Sequence, residues 1–164
     1  EAFLIKEDVF ANGWKEELQS FSQAYDNTYL DSSLLLMETY GFIEPSNEKY
    51  RKTVKAIKNK LFHYGLMYRY KNEDDFGSPT SAFTICTFWL VRALFVTGEE
   101  EEEARKIFNQ LCSYTNHVGL MSEDLDFISK QQLGNFPQAY SHLAMIDIAI
   151  LLSKEKKTSH FIRP

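Results

Sequence analysis

The stretch GLMSEDLD, residues 119–126, places a glutamate and two aspartates between two strongly apolar helical patterns. A carboxylate in such a position could act as a general base, because an ionised carboxylate accepts a proton from water held against a substrate. Glu123 is the candidate for this chemistry. The same letters also fit a solvated helical turn capped by Ser122, and the residues alone leave both interpretations open.

Aromatic and polar side chains are concentrated in and beside three long connecting segments, at residues 13–27, 65–78 and 116–135. Flat aromatic rings cover the apolar faces of sugars, and charged or amide groups bind sugar hydroxyls. The mixture favours a carbohydrate site with Arg69 and Glu123 as its polar candidates. The aromatic candidates are Trp14, Tyr68, Tyr70, Phe76 and Phe83. The alternative is that these rings pack the connecting segments onto the ends of helices.

Other classes of site find little support in the sequence. The four histidines lack metal-ligand spacing, and no nucleotide-binding or nucleophile-elbow motif occurs, so we predict neither a metal nor a cofactor. The formal net charge of −5, without a block of basic residues, argues against nucleic acid. No apolar run reaches the roughly 18 residues of a membrane span. Cys86 and Cys112 fall in helical patterns, which indicates thiols in a reducing compartment, and we expect a cytoplasmic protein.

The 164 residues are enough for one domain, and their hydrophobic periodicity predicts six helical segments. These cover residues 3–12, 28–40, 47–64, 79–97, 100–115 and 136–153, before a polar tail, 154–164, that is expected to pack loosely. Amphipathic segments alternate with segments that are apolar nearly all round, which indicates outer and inner helices. In antiparallel hairpins every second connection lies on the same side. The three long connections should therefore share one face, where loops of this length are usually functional.

Several motifs occur in the order found in one enzyme family. They are YLDSSLLLMETYGFIEP, GLMYRY, FTICTFWLVRAL, GLMSEDLD and LGNFPQAYSHLAMIDIA. Together they closely resemble the C-terminal half of glycoside hydrolase family 15, the glucoamylase-like and trehalase-like enzymes. The resemblance covers roughly residues 10–153. It implies an all-α fold, an (α/α)6 toroid of inner and outer helices, of which these six segments would form about half.

The resemblance also assigns roles to individual residues. It implies an inverting hydrolase of α-glucosidic bonds in which Glu123 is the general base that activates water. Arg69 matches an arginine that binds sugar hydroxyls, and Phe83 matches an aromatic residue at the pocket. Tyr70 and Trp14 are further candidates for substrate binding. Thr80 and Ser81 stand where many bacterial relatives have Glu-Gly, which changes the expected polar lining and leaves the substrate preference open.

The resemblance places the general acid upstream of the segment that it covers. The chain begins EAFLIK, without an initiating methionine or a signal-peptide pattern. We therefore expect the C-terminal part of a longer hydrolase, whose partners are an α-glucan or α-glucoside and the N-terminal part of the same polypeptide. Alone, this part should be inactive. A non-catalytic glucan-binding or regulatory module of the same fold is the alternative hypothesis.

Overall fold

The protein is helical in a computed structural model that describes residues 1–75 and 77–153. Within these residues there are five α-helices: α1 (Ala2–Asn12), α2 (Glu48–Leu61), α3 (Thr84–Thr97), α4 (Glu101–Cys112) and α5 (Ala139–Ser153). A 3-10 helix spans Ser32–Met37. The aromatic candidate Phe76 and the tail 154–164, which is expected to pack loosely, lie outside the described residues.

In the described part of the chain, seven two-residue strands lie in the connections between the helices. They are β1 (Trp14–Lys15), β2 (Ser20–Phe21), β3 (Phe62–His63), β4 (Leu66–Met67), β5 (Ala82–Phe83), β6 (Asp124–Leu125) and β7 (Gln132–Leu133). The first four form two antiparallel hairpins, and the last three form an antiparallel sheet in the order β5-β6-β7. This small sheet joins the second and third long connections. It thereby brings residues that lie far apart in the sequence to one place.

Helix α3 forms the centre of the core. It is apolar on nearly all faces, and its side chains Phe88, Leu90 and Val91 are fully buried. It packs against α2, α4, α5 and the 3-10 helix. Each large apolar side chain buried in this way contributes about 1.5–3 kcal/mol to folding. The prediction of an inner helix in this segment is confirmed.

Helices α2 and α4 are amphipathic and cover the core from outside. The amphipathic character predicted for the segment of α2 is confirmed, since one side of the helix is buried: Tyr50, Val54, Ile57 and Leu61. Burial raises the pKa of the Tyr50 phenol, which donates a hydrogen bond of 2.8 Å to the Leu35 carbonyl. This bond ties α2 to the 3-10 helix beneath it.

The structure corrects the predicted helix at 28–40. Only Ser32–Met37 is helical, and the cap is Asp31, whose Oδ1 accepts from the Ser33 N–H at 2.7 Å. The Ser32 N–H and hydroxyl donate to the carbonyls of Arg69 and Tyr68, each at 2.7 Å. These tertiary hydrogen bonds hold the preceding residues in extended conformation, where an isolated helix would have continued.

The starts of α3 and α5 also lie later than predicted. Helix α3 begins at Thr84 because Ala82 and Phe83 pair with β6, so Pro79 does not occupy its first turn. Helix α5 begins at Ala139 because Gln138 N–H is bound to the Met121 carbonyl in the third connection. In both places long-range pairing replaces the first helical turn.

The prediction that the long connections share one face is confirmed. The first and second meet around a cavity of about 530 Å³ lined by residues of both, among them Leu18 and Asn72. The second and third meet through the β5-β6-β7 sheet and through Lys130, whose Nζ donates to the Tyr64 carbonyl at 2.6 Å. The face so formed is called the loop face below.

Two helices leave apolar side chains uncovered at the ends of the arrangement. No residue of α1 is buried, and Phe3 is 70% exposed. On α5, Tyr140, Leu143, Ile146 and Ile150 are all more than half exposed. Both cysteines are free: Cys86 is buried and Cys112 half-buried. Among the helices of the described residues, none is long and apolar enough to cross a membrane.

Candidate active site

A cavity of about 470 Å³ opens on the loop face between the second and third long connections. Its lining comes from the two connections and the start of β5: Arg69, Tyr70, Asp74, Gly77, Ser78, Pro79, Thr80, Ser81, Phe83, Glu123 and Asp124. Four of the five residues predicted for the site, Glu123, Arg69, Tyr70 and Phe83, therefore lie together. A cavity of this size suits a small ligand with several polar groups.

Glu123 is held in place on both its main chain and its side chain. It immediately precedes β6, and its carbonyl accepts from Thr84 N–H at 2.9 Å, which ties it to the start of α3. Its Oε2 accepts two hydrogen bonds from Asn135, from the main-chain N–H at 3.1 Å and from Nδ2 at 2.9 Å. The side chain is half-buried and lines the cavity. The helical turn capped by Ser122 is not formed, because this segment is a strand.

These surroundings suit a carboxylate that accepts a proton. The two Asn135 donors hold Oε2 in one orientation at the wall of the cavity. In the part of the chain that the structure describes, no protein donor is bound to Oε1. That oxygen is free to take a proton from a water molecule. The catalytic role of Glu123 itself stays a prediction.

The glycine beside Glu123 is required by the geometry. Gly134 has φ +71, and a Cβ there would lie 3.0 Å from Oε2 and 3.2 Å from Cβ of Glu123. Both distances are shorter than ordinary carbon contacts, and the conformation itself disfavours other residues. The GN pair of the motif LGNFPQAY thus serves Glu123 twice, by leaving space and by donating hydrogen bonds.

A second carboxyl group, Asp124, lies beside Glu123 but has different support. Its Oδ2 accepts from the Ser81 hydroxyl at 2.5 Å, across the β5–β6 pairing. Burial is the main cause that raises the pKa of Asp124; the negative charge of Glu123 raises it further and the Ser81 hydrogen bond opposes both. The cavity therefore holds two neighbouring carboxyl groups that are anchored to opposite strands.

Arg69 is positioned by a carboxylate behind the cavity. Its Nε lies 3.3 Å from Oδ2 of Asp31, which is only 5% exposed, while about half of the Arg69 side chain remains exposed. The guanidinium lies 5.9 Å from the ring of Tyr70, whose phenol donates to Asp74 and has a raised pKa because of that bond. The remaining guanidinium N–H groups can donate to hydroxyls of a bound molecule.

The start of α5 fixes the segment that carries Glu123. Ser141 donates to the Ser122 carbonyl at 2.8 Å, and His142 Nε2 accepts from Met121 N–H at 3.2 Å. Because Nε2 accepts, the proton of neutral His142 is on Nδ1, which donates to the Gln138 carbonyl at 2.7 Å.

Trp14, the fifth predicted residue, is not among the residues that line the cavity. Its indole packs edge-on against Phe21 at 5.4 Å, lies under the Lys49 ammonium at 4.6 Å and donates to Glu16 at 2.8 Å. Tyr68 likewise packs on Phe127 at 4.1 Å. For these two aromatic residues the alternative interpretation, packing of the loops onto the helices, describes the structure.

Sequence reasoning missed several residues of this site. Asp31, Asp124, Gly134 and Asn135 make the contacts described above, whereas Ser81 was expected only to alter the polar lining. The only signal for Asp124 was its position next to Glu123, and that for Gly134 and Asn135 was the motif after the third connection. No three His, Cys, Asp or Glu side chains of the described residues come together as a metal site would require.

The sequence model described as "Glycosyl hydrolases family 15" matches residues 3–150. The chain belongs to this family. Its relatives include a trehalase of Mycobacterium tuberculosis, 37% identical over 149 residues, and a trehalase of Thermoplasma volcanium, 34% identical over 158 residues. These alignments cover 89% and 94% of this chain but 22% and 25% of the two trehalases.

Comparison with solved structures gives separate evidence for the fold of this family 15 chain. A wild-type glycosidase superposes with a TM-score of 0.74 at 16% identity, and a variant glycosidase in complex with glucose superposes with 0.78 at 15% identity. Each superposition covers 92% of this chain and 42% of the other protein. The prediction that the helices form part of an (α/α)6 toroid is confirmed.

Proposed function

We propose that this family 15 chain is the C-terminal portion of an inverting hydrolase of α-glucosidic bonds, in which Glu123 is the general base. The observation that carries the proposal is the placement of Glu123 at the cavity with two Asn135 donors on one carboxylate oxygen. The other oxygen is then available to a water molecule.

The proposed mechanism divides the work between two carboxyl groups. Glu123 takes a proton from a water molecule as that water attacks the anomeric carbon. A second carboxyl group protonates the departing oxygen from the opposite side of the sugar ring. In inverting enzymes the two groups stand roughly 6.5–9.5 Å apart, which leaves room for the water. The general acid would come from the part of the longer polypeptide that precedes this chain.

The proposed substrate is an α-glucoside, with trehalose the first to test. The similar proteins named above are trehalases, and one structural neighbour was solved with glucose. The cavity of about 470 Å³ can receive one sugar ring, with Arg69 donating to hydroxyls and Phe83 and Tyr70 at its wall. An α-glucan is the other substrate to compare, since the cavity lining alone does not distinguish the two.

We also propose that the preceding part of the polypeptide packs against the exposed apolar side chains of the first and last helices. The chain spans 22–25% of the length of the curated relatives and 42% of the structural neighbours. Its exposed apolar side chains lie on α1 and α5, the first and last helices along the chain. These are the helices at which a partial ring would join the remaining hairpins.

The test is to compare the full-length enzyme with its Glu123→Gln variant on trehalose, maltose and soluble starch. Loss of the base should lower kcat by about 10²–10⁴-fold, while Glu102→Gln, on the exposed side of α4, should leave kcat unchanged. With trehalose, proton NMR during the first turnovers should show β-glucose and α-glucose in equal amounts, because the attacked ring is inverted and the departing ring keeps its α-configuration. Equal activity of wild type and Glu123→Gln would contradict the assignment. Glucan binding without hydrolysis by wild type would favour the non-catalytic module.

A further inference from the structure

The Ser81–Asp124 pair forms a second polar group in the cavity, distinct from Glu123. Resting on the function proposed above, we propose that Asp124, oriented by the Ser81 hydroxyl, accepts a hydrogen bond from a hydroxyl of the bound glucoside and selects for it. Ser81 is then a positioning residue and Asp124 a specificity-determining one. The two residues are 43 apart in the sequence and meet because β5 pairs with β6.

The hydrogen bonds of Asp124 within the described residues leave one of its two acceptor oxygens without a donor. Oδ2 accepts from Ser81 at 2.5 Å, and among the described residues no donor reaches Oδ1. Asp124 is half-buried and lines the cavity, so its second oxygen loses part of its hydration without a protein donor in return. A carboxylate in this state gains from a hydroxyl donor, because hydrogen bonds to charged groups are the stronger ones. A glucoside supplies hydroxyl groups, and an apolar ligand does not.

The two carboxyl groups are hydrogen-bonded to different residues, so their roles can be tested separately. Glu123 is bound from the β7 side by Asn135, whereas Asp124 is bound from the β5 side by Ser81. Glu123 therefore keeps its position when Ser81 is changed, and Asp124 keeps its position when Asn135 is changed. Binding and water activation can be perturbed one at a time.

Several other titratable groups contribute to the electrostatic environment of Asp124. Glu123 adjoins it on the same segment, and Cys86 of α3 lies close enough to interact electrostatically. The second connection contributes Arg69, Tyr70 and Asp74 to the same cavity, with Asp31 behind Arg69. Burial and the Glu123 charge raise the pKa of Asp124. The carboxylate acceptor is thus present above this raised pKa and is lost as the pH falls through it.

The experiment measures kcat and KM of the full-length enzyme on trehalose, or on whichever α-glucoside it hydrolyses, across a pH series. Asp124→Asn should raise KM about tenfold, change kcat little, and abolish the rise of KM that wild type shows as the pH falls. Ser81→Ala should raise KM by a smaller factor, and Ser81→Thr should restore it. Asp26→Asn, an exposed aspartate of the first connection, is the matched control.

The outcomes distinguish this inference from the proposed function. KM does not depend on the active fraction, so partial misfolding of a variant cannot imitate the expected result. An unchanged KM in Asp124→Asn, with Glu123→Gln inactive, would overturn only the role of Asp124. A large loss of kcat at unchanged KM would overturn it too, because Asp124 would then act on the reaction. Calorimetric titration with glucose repeats the comparison without turnover: Asp124→Asn should bind about tenfold more weakly.

Discussion

At the scale of single residues, the position of Glu123 depends on a main-chain conformation as much as on side chains. Gly134 adopts φ +71 and directs the following N–H, that of Asn135, to the carboxylate. Few residues other than glycine adopt this conformation without strain. The carboxylate is therefore sensitive to a change at a residue that has no functional group of its own.

Replacing Gly134 by alanine should lower activity by displacing Glu123. The new Cβ would lie 3.0 Å from Oε2, so the carboxylate must move away from Asn135. We expect kcat/KM to fall tenfold or more, roughly the effect of a small misplacement of a catalytic group. Steady-state kinetics on the full-length enzyme measures this.

The control for that substitution is Gly119→Ala. Gly119 also has a positive φ, +81, but a Cβ there meets nothing within 4 Å. Both variants should lose about 1 kcal/mol of stability through backbone strain, which thermal unfolding measures. Only Gly134→Ala should lose activity. If the two variants lose activity equally, strain alone explains the effect, and contact with Glu123 does not.

The residue scale also shows what the sequence could predict about the site. Glu123, Arg69, Tyr70 and Phe83 were predicted from motifs, and they do lie together. The partners that position them could not be predicted, because Asp31 and Arg69 are 38 residues apart and Ser81 and Asp124 are 43 apart. Trp14 was proposed on the same grounds and packs on Phe21 in the structure. An aromatic residue in a loop can bind sugar or pack on a neighbour, and the sequence does not distinguish the two.

At the scale of elements, hydrophobic periodicity predicted the helices that bury one continuous stripe of apolar side chains. Helix α2 and α4 lie within the predicted ranges, and Gly98 ends α3 with φ 70. The prediction of a helix over 28–40 was wrong because Ser32 donates its hydrogen bonds to carbonyls of the second connection and not to carbonyls of its own segment. Hydrophobic periodicity does not reveal where long-range hydrogen bonds replace those of a helix, so this difference could not be predicted from the sequence.

An ion-pair cluster joins three of these elements. Arg92 of α3 binds Glu38, after the 3-10 helix, through Nε at 3.1 Å and through Nη2 at 3.4 Å, and Asp147 of α5 through Nη1 at 3.2 Å. The side chains of Arg92 and Glu38 are only 20% and 14% exposed. Since α5 carries the residues that fix the Glu123 segment, this cluster helps to align the site.

Arg92→Ala should destabilise the protein by about 3 kcal/mol, because it leaves the Glu38 carboxylate largely buried without its partner. Urea unfolding of the full-length protein measures the change. The matched control is Lys52→Ala, which removes an exposed pair with Glu48 at 2.8 Å on α2 and should cost about 0.5 kcal/mol or less. Equal losses in the two variants would contradict the importance of the cluster.

At the scale of the whole molecule, the core is complete around α3 but open at the two ends. Helix α3 is covered on several sides by α2, α4, α5 and the 3-10 helix. In contrast, α1 and α5 present rows of exposed apolar side chains. Large exposed apolar surfaces mark places where another part of a protein packs. The exposed surface of α5 is thus the place to test whether the preceding part of the polypeptide covers it.

Leu143→Asp tests this covering directly. Leu143 is 64% exposed on α5 in the structure. If the preceding hairpins pack there, the aspartate would be buried among apolar side chains, and the full-length protein should lose about 3 kcal/mol or more of stability. In the 164-residue chain alone, the same change should alter stability by about 0.5 kcal/mol or less, as exposed substitutions do.

The control is Val118→Asp, in the third connection, where valine is 62% exposed on the loop face. Because that face carries the cavity, hairpins joined at α5 leave it open, and this variant should behave alike in both proteins. Urea unfolding of the two variants in the full-length protein and in the 164-residue chain gives the four values needed. An equal effect of Leu143→Asp in both proteins would contradict the covering of α5, whereas a loss confined to the full-length protein would locate the junction on this helix.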